Sequence, residues 1–189
     1  PPPARAVDAG GRAGATATPR ALLAAAPPHV LAAAEYTSHL AGQPGVRRSW
    51  SAEFDIYAQD NILATQVLLE AARQAPRLKR VIYASSSSVY GDNPSFPFAE
   101  SALPSPKSPY GVTKLAGEHL MSLYGDNFSM PTVSLRYLTV YGPRQRPDMA
   151  IHRLIESAIQ GTQFTLLGDG TQERDFTFVD DIVEANLLA

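Results

Sequence analysis

Tyr110 and Lys114 stand four residues apart in the stretch Ser108-Pro109-Tyr110-Gly111-Val112-Thr113-Lys114, and that pairing can do proton chemistry. Residues four apart lie on one face of a helix. Ser108 followed by Pro109 reads as an N-cap and a first helical residue. Tyr110 then falls in the first turn, where the helix dipole favours negative charge. The Lys114 ammonium one turn on does the same. Together they are expected to lower the phenol from its ordinary value of about 10, making a general base that takes a proton from a hydroxyl near neutral pH. Alone, the pair reads equally as a surface Tyr and Lys. A second signal precedes it: Ser85-Ser86-Ser87-Ser88 directly follows the apolar run RVIYA. A solvated serine turn would account for the polarity, but not for the Tyr-x-x-x-Lys helix that follows.

Several elements must position these groups. Residues 80–85 form a short, β-rich apolar run typical of a strand buried on both faces. Residues 36–40 are a weaker strand expectation, leading into the turn Ala41-Gly42-Gln43-Pro44-Gly45. Residues 52–74 read as a long helix with Phe54, Tyr57, Ile62, Leu68 and Leu69 among its apolar positions. The helix opened by Ser108 is expected to run to about Tyr124 and stop at Gly125. Residues 132–137 read as another buried strand, 148–160 as a helix closed by Gly161, and 164–167 as a strand. Asp180 or Asp181 is expected to cap a last helix. Strands alternating with helices predict an α/β fold, a doubly wound parallel sheet that binds ligands at the carboxyl ends of its strands. Residues 1–35, rich in Ala, Pro, Gly and Arg, show no sustained period and are expected to be poorly ordered, with one short helix over 21–26.

In this order the motifs HLAGQPGVRRSW (39–50), DNILAT (60–65), ASSSSVYG (84–91), SPYGVTK (108–114), SLRYLTVYGPRQRPDMA (134–150) and GDGTQERDFTFVDDIVEA (168–185) resemble the extended short-chain dehydrogenase/reductases, in their NAD-dependent epimerase/dehydratase branch. The resemblance covers residues 36–189 and implies a partial Rossmann-like domain with part of a small substrate-binding region. It implies NAD as cofactor, a nucleotide sugar as substrate, Tyr110 as catalytic base and Lys114 as its partner on the nicotinamide ribose. Ser86 would be the hydroxyl that bonds the reacting sugar oxygen. Ala41, Gly42 and Gln43 resemble the turn that packs on the cofactor, and Asn61 the helix Asn near it. Arg174 resembles the arginine that pairs with the nucleotide diphosphate, a fork-to-oxyanion contact.

The serine run separates branches of that family. Dehydratases carry an Asp-Glu pair after the catalytic hydroxyl, and decarboxylases a Glu two residues before the Tyr of this motif; here Ser87 and Ser88 occupy those places. Neither can act as a carboxylate acid or base, which points to 4-epimerisation. Ser87 and Ser88 with Thr139 and Arg146 resemble the UDP-glucuronate 4-epimerase pattern. Arg146 reads equally as a solvent-facing charge in a Pro-rich loop. The alternatives are a dehydratase or reductase of the same family, or a catalytically inactive fragment. The family opens with a strand and a Gly-x-x-Gly-x-x-Gly turn that cradles pyrophosphate. Gly10, Gly11 and Gly14 do not fit that spacing, so the chain reads as a fragment lacking the first βαβ unit.

With 189 residues, 44% hydrophobic and 18% charged, the chain is long enough for one domain with a core. A net charge of −2 argues against a nucleic-acid footprint. No apolar run approaches the roughly 18 residues of a membrane span, and a cytoplasmic enzyme is expected, as a homodimer through helices 52–74 and 109–124. The sequence has no cysteine, which excludes thiolate chemistry and Cys-ligated metals, and no metal site is expected. His119 falls about 180° around the helix from Tyr110; His29, His39 and His152 are expected to be packing or surface residues.

Overall fold

The computed structural model describes residues 31, 33–92, 97–166, 168–171 and 173–189. The short helix expected over 21–26, and His29, lie outside the described residues. Two compact units divide the chain, one ending at Arg136 and the other running from Tyr137 to Ala189.

The first unit is built on a three-stranded sheet in the order β1-β2-β3, with β1 Tyr36–His39, β2 Arg80–Ser86 and β3 Thr132–Tyr137. β1 and β2 are parallel, with Tyr36 opposite Arg80 and His39 opposite Tyr83. β2 is buried along almost its whole length, as its apolar run predicts. Val81 and Tyr83 on one of its faces meet Leu68, Leu69 and Ala72, together with Met121 and Tyr124, in one apolar core. Those partners come from two helices. One is a stretch made of α1 Phe54–Tyr57, a π-helical segment Ala58–Leu63, and α2 Ala64–Arg73. The other is α3 Pro109–Phe128. Truncating a fully buried Leu such as Leu69 costs about 2–5 kcal/mol, so this core sets the height of α3 over β2.

Three expectations change in this unit. The helix 52–74 forms, but with a π-helical turn in its middle; such turns occur often at functional sites. α3 does not stop at Gly125. It continues to Phe128 and ends at Ser129, which takes the left-handed conformation at φ 54°. Gly125 instead lets α3 approach the next strand: a Cβ there would lie 3.0 Å from Thr132 Oγ1. β3 is half-buried along its length rather than fully buried.

The second unit pairs β4 Thr139–Tyr141 in parallel with β5 Phe176–Phe178, Thr139 lying opposite Phe176. α4 Ala150–Gln160 ends as expected at Gly161, whose φ of 65° suits the left-handed cap. The strand expected over 164–167 does not form at 164–166, and Leu167 is outside the described residues. The strand is β5 instead, immediately before α5 Val179–Leu188. Asp180 and Asp181 do not cap α5; Phe178 occupies that position and both carboxylates sit in the first turn, where they still complement the dipole. Among the described residues no helix is long and apolar enough to cross a membrane.

Candidate active site

Ser108 starts α3 as expected: its Oγ accepts from the Gly111 amide at 3.0 Å, with Pro109 following it. Tyr110 is therefore held in the first turn, half-buried, and Lys114 is buried one turn later. The Lys114 Nζ donates to the Ala84 carbonyl at 3.0 Å, near the end of β2. It lies 5.1 Å from the Tyr83 ring centre and 5.9 Å from that of Tyr110. Burial pushes this amine down from 10.5 to about 8. The pair read from the sequence is thus no surface pair: the ammonium sits between the strand end and the tyrosine.

The serine run divides by role. Ser85 is buried, and its hydroxyl donates to Glu118. Ser86 ends β2 in extended conformation and caps the 3₁₀ turn Ser87–Val89, its Oγ accepting from the Ser88 amide at 3.2 Å. That leaves the Ser86 hydroxyl proton available for another acceptor. Ser87 and Ser88 are half-buried beside it.

Asn61 lies in the π-helical segment, 1% exposed, and both ends of its amide are used. Its Oδ1 accepts from Gln43 N at 2.6 Å, and its Nδ2 donates to Gln43 O at 3.1 Å and to Thr113 Oγ1 at 2.9 Å. It therefore fastens the Ala41-Gly42-Gln43 turn to α3. A Cβ on Gly42 would stand 2.8 Å from Asn61 Oδ1 and 3.3 Å from Lys114 Nζ, so only glycine lets the turn come this close to the lysine. Tyr57, whose hydroxyl donates to Gly45 O at 2.9 Å, sets its ring edge-on to Tyr110 with centres 6.4 Å apart.

His39 is buried, with Nε2 2.9 Å from Thr65 Oγ1. Thr65 spends its own proton on Asn61 O at 2.7 Å, so His39 donates through Nε2–H. Burial, then the Lys114 charge, hold this imidazole down at about 4. It packs as a neutral ring, as expected, but against the site rather than away from it. His119 is exposed, as its place on α3 predicts. Tyr57 reads in the sequence only as an apolar position of its helix, and Thr65, Thr113, Glu118 and Arg136 carry no mark there. Their polar side chains carry the signal only once the helices are placed.

In the second unit, Thr139 opens β4 and its amide donates to Asp175 O at 3.3 Å. Arg146 is engaged by Asp148 through Nε at 2.9 Å and Nη2 at 2.7 Å. Arg174 is exposed and donates from Nη1 to Glu173 O at 2.6 Å.

The model of the family described as NAD dependent epimerase/dehydratase matches residues 22–189. The chain belongs to that family. An uncharacterised UDP-glucose epimerase of Bacillus subtilis is 52% identical over 146 residues, 77% of this chain and 46% of that protein. A probable UDP-glucuronate 4-epimerase of Rhizobium meliloti is 39% identical over 157 residues, covering 82% of this chain and 45% of its own length. Among solved structures, the UDP-glucuronic acid 4-epimerase of Bacillus cereus, in complex with UDP-glucuronic acid and NAD, superposes with a TM-score of 0.83 at 49% identity. It covers 88% of this chain, which spans 52% of it. The chain thus spans about half the length of the epimerases it matches.

Proposed function

We propose that residues 36–189 form part of an NAD-dependent nucleotide-sugar 4-epimerase whose substrate is UDP-glucuronate or a related UDP-hexose. One observation carries the reading: the α3 pair Tyr110–Lys114 is set against the end of β2 where Ser86 stands, with the Lys114 ammonium buried between the Ala84 carbonyl and the Asn61-fastened turn. A group that takes protons from a sugar hydroxyl needs a cation and a hydroxyl donor beside it; Lys114 would be the cation, and Ser86, the residue after Ser85 on β2, would be the donor.

The residues around that turn fit a cofactor's nicotinamide–ribose end. Gly42 lets the backbone of Ala41, Gly42 and Gln43 close on Asn61 and the Lys114 amine, and Asn61 holds the turn in place. Tyr110 and Lys114 would complete the hold on the ribose. When bound, NAD supplies hydride acceptance and return. The work of the chain is proton transfer and orientation. Tyr110 takes the proton from the oxygen at sugar carbon 4 as that carbon is oxidised, and returns it when the carbon is reduced on the other face. Lys114 and the α3 N-terminus stabilise the phenolate. Ser86 donates its hydroxyl proton to the same sugar oxygen. Ser87 and Ser88 would meet the sugar near carbon 4, and the resemblance of Thr139, Arg146 and Arg174 to the family pattern assigns them to substrate binding. Ser87 and Ser88 carry no carboxylate, which favours epimerisation over elimination of water or loss of carbon dioxide.

The proposal includes a cytoplasmic homodimer with no nucleic-acid partner. Support for the dimer comes from exposed apolar side chains on the paired helices, among them Phe54, Ile56 and Leu63 before α2 and Val112 and Leu123 on α3. The deciding experiment replaces Tyr110 by Phe in the protein that carries this chain. Conversion of UDP-glucuronate to its 4-epimer should fall by about 10²–10⁴-fold while nucleotide-sugar binding stays. Near-normal turnover in that variant would sink the assignment.

A further inference from the structure

Resting on that functional reading, we propose that Glu118 and Arg136, acting through Ser85, are positioning residues that set the first turn of α3 against the end of β2. Glu118 is 8% exposed and lies one helical turn beyond Lys114 on the same face. Two successive residues of β2 therefore reach two successive turns of α3. The Ala84 carbonyl accepts from Lys114, and the Ser85 hydroxyl donates to Glu118. The two bonds fix both the height and the rotation of the helix at the strand end. Ser86 is the next residue along the strand and Tyr110 one turn back along the helix, so both take their mutual placement from this pair of bonds.

Arg136 locks the second bond. Its Nε and Nη2 grip the Glu118 carboxylate at 3.0 and 2.8 Å, a forked pair whose side chains are 19% and 11% exposed. Its Nη1 donates to the Glu100 carbonyl at 3.2 Å. The guanidinium lies 4.7 Å over the Tyr90 ring, which stacks on Phe98 at 4.8 Å. One arginine thus ties β3, α3 and the segment leaving the serine turn into one unit. The Glu118 carboxylate also raises this guanidinium above its ordinary value, so Arg136 stays protonated at every working pH. No part of the proposed proton transfer uses either charge. A partly buried ion pair of this kind gives little net stability over an apolar pair of the same shape, but it holds one geometry.

Three variants of the protein that carries this chain test this, once wild-type turnover and its loss in Tyr110→Phe have been measured. Ser85→Ala leaves the ion pair intact and removes only the rung to β2. We expect kcat to fall by tenfold or more, since small misplacements of reacting groups cost up to about 10²-fold, with KM within about twofold and the unfolding midpoint near wild type. A folded Ser85→Ala protein with wild-type kcat overturns the proposal. Glu118→Gln with Arg136→Met removes both charges together. If the double variant regains the stability lost in Glu118→Gln and regains kcat with it, the pair is structural only and the proposal falls; regained stability with kcat still low supports it. Should wild-type protein show no epimerase turnover, the functional reading fails, and hydrogen exchange of the α3 amides at 111–114 then decides. Faster exchange there in Ser85→Ala, with α2 unchanged, supports the positioning role, and unchanged exchange overturns it.

Discussion

Replacing Lys114 by Met should make the protein more stable and inactive, and the gain should vanish at alkaline pH. The amine is 6% exposed and burial holds it near 8 instead of 10.5. That difference, at about 1.36 kcal/mol per unit, means that keeping the group protonated in the folded state costs roughly 3 kcal/mol at neutral pH. Met has a similar reach and no charge to desolvate. Its loss of the bond to the Ala84 carbonyl gives back about 1 kcal/mol, and the lost cation–π contacts with Tyr83 and Tyr110 a similar amount. A net gain of about 1–2 kcal/mol at pH 7 is the expectation. Between pH 8 and 10.5 the unfolded chain holds this proton and the folded one does not, so wild-type stability rises with pH in that window. Above it the amine is neutral in both states and the wild-type handicap is gone. Urea unfolding of both proteins from pH 7 to pH 10.5, followed by circular dichroism, measures the difference, with the titrations they share cancelling. Two stability curves that run parallel across the window would refute the argument that burial alone depresses this lysine. Loss of turnover in a stabilised protein would identify the buried charge as retained for catalysis.

Three further outcomes are expected. Gly42→Ala should lower turnover and destabilise the fold by about 1–3 kcal/mol, because its methyl meets Asn61 Oδ1 and Lys114 Nζ; an active, fully stable variant in the same assays would contradict this placement of the turn. Acid should weaken the fold through His39, whose folded value near 4 lies below its ordinary 6.5, so stability falls as pH drops through that window; His39→Gln should flatten the fall in denaturant titrations at pH 7, 5.5 and 4. Arg146→Ala should narrow a preference for UDP-glucuronate over UDP-glucose, since a charge-assisted hydrogen bond is worth about 1.5–3 kcal/mol, tenfold or more in kcat/KM; an unchanged ratio would show that Asp148 keeps this guanidinium to itself.

The elements legible in the sequence are those whose signal is local. Ser108-Pro109 and Gly161 mark helix ends by their own conformational preferences, and both stand where expected. RVIYAS is apolar on both faces because both faces of β2 are covered. The errors have tertiary causes. Gly125 looks like a stop, but it is small because Thr132 packs on it. Phe176–Phe178 is only three residues long and is a strand because β4 lies beside it, which no period within three residues can announce. The apolar residues at 164–166 have the composition of a strand without such a partner.

The site divides along the same line. The spacing of Tyr110 and Lys114, and a serine run at the end of an apolar strand, stand in the sequence because a helix repeat and a strand end are short-range facts; Ser86 within that run is marked only by the family resemblance. What holds them acts across the fold: Asn61, brought forward only by the family resemblance, reaches Gln43 and Thr113, and Glu118, which nothing in the sequence marks, reaches Ser85 and Arg136. In the sequence Asn61 is one amide inside a helix and Glu118 one acid among surface charges. Burial reverses their meaning. A buried amide with both ends bonded, and a buried carboxylate held by a fork and a hydroxyl, persist only where the surrounding geometry is fixed. Ser86 keeps an unspent hydroxyl proton and Tyr110 part of its exposure, while Asn61 and Glu118 are buried with their polar ends bonded, and that contrast, rather than residue type, separates the two sets around α3.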